Sequence, residues 1–140
     1  MHCIGNVIVG TYVPWSREDF NKVGAAYAAD ADFVKKVQEF NPDDNQEMLL
    51  ADVEQGELDW LEFVEDVWTK EYHGGGNSTV AWVGVCIGTF DETDHFDLND
   101  IKRLDETEVF AEAMDKYRSL PQTVRDLLPP FGTYVVWSSS

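Results

Sequence analysis

Residues 79–90 read TVAWVGVCIGTF, twelve consecutive positions without a charge and almost without a polar side chain. A run this short and this rich in β-branched and aromatic residues fits a strand covered on both faces better than a helix, so it is expected to be the centre of a sheet. Gly84 inside it marks the close approach of a neighbouring element. Two other segments share its Gly-Thr-aromatic signature, IVGTYV (8–13) and FGTYVVW (131–137). All three have the composition of pleated, half-buried strands, and three edges of one sheet account for them.

Helix signals fill the intervals. Ser16-Arg-Glu-Asp19 has the form of a capping box, with Trp15 and Phe20 placed as a hydrophobic staple. The helix it opens carries Val23 and Tyr27. A break near Asp30–Asp32 precedes a second apolar face of Phe33, Val34 and Val37. Asp44-Asn-Gln-Glu47 opens an acidic segment that Gly56 divides into helices near 45–54 and 57–72. Asp105-Glu-Thr-Glu108 starts a further helix with Val109, Ala113, Tyr117 and Leu120 on one face. Pro121 ends that helix, and a short turn of helix follows around Val124–Leu128. The expectation is a single α+β domain: a small three-stranded sheet, antiparallel or mixed, covered by four to six helices. An acidic helical segment spans about 43–72, and the tail at 138–140 is loose.

The chain holds 27 acidic and 10 basic residues, a net charge of −17 in 140 residues. Solubility of a small domain needs a magnitude of only about 2–8. The excess is gathered: residues 41–110 contain 19 acids and three bases, whereas 1–40 and 111–140 together contain eight acids and seven bases. Halophilic acidity would spread over the whole surface. A hydrophobic fraction of 44% and an aromatic fraction of 13% exclude a disordered acidic chain.

On a helical wheel begun at Asp59, Trp60, Leu61, Phe63, Val64, Val67 and Trp68 fall on one side and Asp59, Glu62, Glu65 and Asp66 on the other, with Glu57 and Leu58 near the margins. The reading is an amphipathic helix with a solvated carboxylate stripe. Residues 43–71 carry 11 acids; as continuous helix they would present one charge per ~4 Å, close to the ~3.4 Å per phosphate of a DNA strand. Such a row suits a groove built for phosphates, in the manner of a DNA mimic.

That places the candidate partner-binding residues at Asp43, Asp44, Glu57, Asp59, Glu62, Glu65 and Asp66, with Asp91 and Asp94 from the 91–108 region. The expected function is a non-enzymatic acidic inhibitor of a basic, nucleic-acid-handling protein, acting by competition and electrostatic steering. Small acidic proteins of this kind are typical of phages and mobile elements, as anti-restriction or anti-CRISPR agents, and the attribution is by analogy. An immunity protein or antitoxin against a basic toxin would use the same surface. A small metal-dependent hydrolase built from the HGGG loop (73–76) with Asp91, Asp94 and His95 is the alternative from another class.

Other motifs speak against specific chemistry. DETDHFDLND (91–100) lacks the alternate-position ligands and the glycine of an EF-hand. His73 and His95 have no helical ligand spacing, and neither Cys3 nor Cys86 lies in a CxxC pair, so no metal or other cofactor is expected. HGGGNS precedes a strand rather than a helix and so reads as a turn, not a phosphate cradle. Both cysteines sit in apolar strands and read as buried, reduced thiols. The five tryptophans read mostly as core, with one or two free to anchor an interface. Basic patches with interleaved aromatics are absent, which argues against direct nucleic-acid binding. The first 15 residues have no basic leader, and no apolar run reaches the ~18 residues of a membrane span. A cytoplasmic location follows, that of the bacterial host if the source is a phage.

Overall fold

The structure, a computed structural model, describes residues 3–13, 16–55, 58–73, 78–91 and 106–139. It is an α+β domain. Strands β1 (Cys3–Val13), β2 (Trp68–His73), β3 (Ser78–Asp91) and β4 (Gly132–Ser139) form one antiparallel sheet in the order β2-β3-β1-β4. Five helices are described: α1 (Arg17–Ala28), α2 (Ala31–Phe40), α3 (Gln46–Glu54), α4 (Glu106–Arg118) and α5 (Gln122–Arg125), with a 3-10 turn at Trp60–Phe63.

The three strands expected from sequence are present, and β2 makes a fourth. It replaces the end of the helix expected over 57–72, which does not form. Asp59 instead caps the short 3-10 turn, its Oδ1 accepting from the Leu61 amide at 3.2 Å. The backbone then folds through Val64, whose carbonyl accepts from the amides of Val67 (3.0 Å) and Trp68 (2.9 Å), and leaves as a strand. The apolar spacing of 60, 61, 64 and 68 fits a helix, but it also lets Trp60 and Leu61 enter the core from the 3-10 turn and Trp68 from the strand. Pairing Trp68–His73 with Val83–Ser78 gives β3 a hydrogen-bonded neighbour over those residues, and that tertiary gain outweighs the local periodicity.

β3 pairs with β2 over Ser78–Val83 and with β1 over Ala81–Asp91, so it has a neighbour on both sides only at Ala81–Val83. Residues 80–84 are buried, whereas from Val85 onward β3 has β1 alone as neighbour and its side chains emerge. The expectation of a central strand covered on both faces therefore holds for residues 80–84 and fails beyond them. Cys86 is an exposed free thiol, not a buried one. It lies opposite Ile8 at a bulge where the register jumps to Val7–Gly88, and its Sγ reaches the Gly88 carbonyl at 3.4 Å.

Gly10 and Gly84 face each other across β1 and β3 with φ of 150° and 141°. A Cβ on either would stand 1.9 Å from a carbonyl oxygen of the opposite strand. This is the close approach anticipated at Gly84. Although β2 and β4 are the two ends of the order, their Cα atoms approach within 8 Å, so the sheet is curled. One face carries Ile8, Val80, Trp82 and Val136, all buried, with Tyr12 and Tyr134 packed edge to face at 5.0 Å.

The main core lies between the other face and the helices. Trp60 is wholly buried at its centre, its indole Nε1 donating to the Phe20 carbonyl at 3.0 Å. Its ring meets Phe20 at 4.9 Å, Trp68 at 5.3 Å and Tyr27 at 5.4 Å. α1 approaches closely because position 24 is glycine. Leu49 and Val53 of α3 and Phe33 and Val37 of α2 are buried on their inner faces, while Leu120 and Val124 bring the α4–α5 corner into the same cluster. Thr11 ties β1 to the Pro129 carbonyl at 2.7 Å.

The helix starts differ in detail from their sequence signals. Ser16 precedes α1 without a side-chain cap, so the expected capping box is not formed. Asp30, placed at a helix break, caps α2 through Oδ2 to the Phe33 amide at 3.2 Å. Asn45 rather than Asp44 caps α3, accepting from the Met48 amide at 2.9 Å. Ser138 and Ser139 extend β4 and are not a loose tail.

Candidate functional site

The acidic residues divide by what each side chain does. Asp43, Glu47, Glu54, Glu62, Glu65 and Asp66 are exposed. Among the described residues none of the six is in an ion pair. Their backbones differ: Glu47 and Glu54 lie on α3, Glu62 in the 3-10 turn, and Glu65 and Asp66 in the turn before β2. They are spread over these separate elements and do not form the continuous helical stripe expected from the wheel.

Asp59 differs from these six in having partners. Besides capping the 3-10 turn, its Oδ2 lies 3.5 Å from Lys70 Nζ, with both side chains 34% exposed. It is a structural carboxylate. Asp44 is half-buried, its backbone carbonyl accepting from Gln38 Nε2 at 2.9 Å. Asp91 is half-buried at the end of β3 opposite Ile4. Glu57, Asp94, His95 and the glycines at 74–76 lie outside the described residues, as do Trp15 and most of the 91–108 region. Among the described residues no group of three potential metal ligands occurs, and no helix is long and apolar enough to cross a membrane.

Beside the acidic turn lies a feature the sequence did not reveal. A cleft of about 450 Å³ opens where the α1–α2 corner, the 64–67 turn and Ser119–Pro121 meet. Tyr27 and Phe33, ring centroids 5.1 Å apart, form its aromatic side. Val64, Val67, Leu120 and Pro121 form apolar walls, and Asp30, Asp32 and Lys36 stand around it. The buried Tyr27 hydroxyl accepts from Trp68 Nε1 at 2.8 Å. The Tyr27 phenol is raised to about 12, mainly by burial and further by the charges of Asp30 and Asp66, against the bond from Trp68, which lowers it. The phenol is therefore neutral throughout the physiological range.

Asp30 and Asp32 had signalled only a helix break. The cleft is assembled from the α1–α2 corner, the turn that leads into β2 and the residues that follow α4, segments far apart in the chain, so no local sequence signal announces it. Compared with protein-family models, curated proteins and solved structures, the chain matches none.

Proposed function

We propose that this protein is a non-enzymatic acidic inhibitor that binds a basic, nucleic-acid-handling protein and occupies a surface that otherwise holds phosphates. The observation that carries the reading is the set of six exposed carboxylates of Asp43, Glu47, Glu54, Glu62, Glu65 and Asp66, none of them in an ion pair among the described residues. Like charges left together on a surface cost a few tenths of a kcal/mol per close pair. Placed against a basic groove they instead speed encounter and release the counterions held there. These carboxylates are carried by a packed scaffold, since Leu49, Val53, Trp60, Leu61 and Val64 anchor the same segments in the core. The inhibitor therefore needs little ordering when it binds.

The test is affinity capture of nucleic-acid-binding enzymes from bacterial lysate over a salt series, with nucleic acid as competitor. Retention should fall steeply with salt and be displaced by DNA or RNA. Charge reversal at Glu47, Glu54, Glu62 and Glu65 to lysine should abolish retention while leaving the circular dichroism spectrum unchanged. Equal capture by the reversed protein would place the interface elsewhere and end the reading.

A further inference from the structure

We propose that the cleft between the α1–α2 corner, the 64–67 turn and Ser119–Pro121 receives an arginine side chain of the partner. The existence of a basic partner rests on the inhibitor reading above; the choice of residue rests on the cleft itself.

Its size suits one long side chain together with the backbone that carries it: about 450 Å³ lies within the usual range of small-ligand pockets, roughly 300–1,000 Å³. Its lining is divided as an arginine is divided. Val64, Val67, Leu120 and Pro121 offer apolar surface to the aliphatic stem. Asp30 and Asp32 offer carboxylates to the head. Asp30 commits Oδ2 to the α2 cap, while Oδ1 makes no hydrogen bond among the described residues. The Tyr27 oxygen accepts once, from Trp68, and a phenol oxygen has a second lone pair.

Charge agrees. Asp30 and Asp32 outnumber Lys36 in the lining. Lys36 is exposed, so its ammonium can remain in water while its stem extends the wall. Guanidinium is favoured over ammonium because it is planar, weakly hydrated and able to meet a carboxylate with two parallel N–H bonds beside an aromatic ring. A lysine head would surrender a tighter hydration shell to reach the same half-apolar cleft.

The closing experiment titrates the 15N-labelled chain with N-acetyl-arginine amide and, separately, with its neutral isostere N-acetyl-citrulline amide. The Trp68 indole N–H, bonded to Tyr27, and the amides of 30–36 should move saturably with arginine. Apparent affinity should be about tenfold weaker for citrulline and for the Asp30→Asn/Asp32→Asn variant, as expected for loss of charge-assisted bonds. Asparagine keeps the α2 cap, and a thermal melt verifies that the variant is folded. Equal response to citrulline, no loss in the variant, or shifts confined to α3 would overturn the cleft assignment. Because the titration needs no partner, its failure beside intact salt-sensitive capture removes only the cleft. Success beside failed capture removes only the inhibitor.

Discussion

Trp68 Nε1 donates to the Tyr27 hydroxyl at 2.8 Å, joining the first helix to the edge strand of the sheet. Both partners are buried, so the bond has no water to replace it. Tyr27→Phe removes the acceptor and leaves the indole N–H unpaired. A loss of about 1–3 kcal/mol is expected, read as a lower urea midpoint with an unchanged m-value.

The same phenol gives a pH signature. Its folded value is raised from 10.0 to about 12, so between these values the unfolded chain has lost the proton while the native one retains it. The contribution is complete below pH 10 and disappears as pH climbs through 12, so stability falls with rising pH in that window. The lost stability is about 2–3 kcal/mol. Other tyrosines titrate nearby, so the comparison is the wild type against Tyr27→Phe, whose stability should decline less steeply in urea unfolding series between pH 9.5 and 11.5.

Gly24 lies against Trp60. A Cβ there would be 2.6 Å from Trp60 Cδ1 and 2.7 Å from Val53 Cγ1. Alanine improves helix propensity by up to about 1 kcal/mol, but forcing α1 away from a wholly buried indole costs about 1–3 kcal/mol. Gly24→Ala should therefore be destabilising and should perturb the near-ultraviolet signal of Trp60. A higher melting temperature would contradict this packing.

Asp59 and Glu62 lie three residues apart and should behave oppositely. Asp59→Ala removes the cap of the 3-10 turn and the Lys70 contact, at a cost of about 1 kcal/mol. Glu62→Ala removes an exposed carboxylate and should change stability by less than about 0.5 kcal/mol. In the capture experiment the ranking reverses, with Glu62 affecting partner retention at equal folded fraction.

Cys86 should react with a disulfide reagent in the native state, since its thiol is exposed. The rapid phase should vanish in Cys86→Ser. Persistence of that phase would mean that the reactive thiol is Cys3.

Legibility in the sequence followed the range of the forces involved. β1, β3 and β4 were recognisable because β-branched and aromatic composition is local, as was the α4 face of Val109, Ala113 and Tyr117, which Leu120 continues just past the helix end. Leu120 and Ala113 are buried as that face required. β2 was missed because its 57–67 approach satisfies a helical wheel, while its strand character depends on a partner that comes later in the chain. The Cys86 environment was missed for a related reason: an apolar strand says nothing about where its neighbour stops. The segregation of charge was legible in full, but the arrangement of the carboxylates depended on a 3-10 turn and a strand that no helical period could encode, and the cleft on segments distant in the chain.

The turn at Val64 has one more effect. It leaves the anions divided among a helix, a 3-10 turn and a bend, so they do not follow the single helical rise of a continuous stripe. A receptor that measures phosphate spacing along a strand would find no ruler here. The proposed partner would instead have to sense the summed negative potential of these segments.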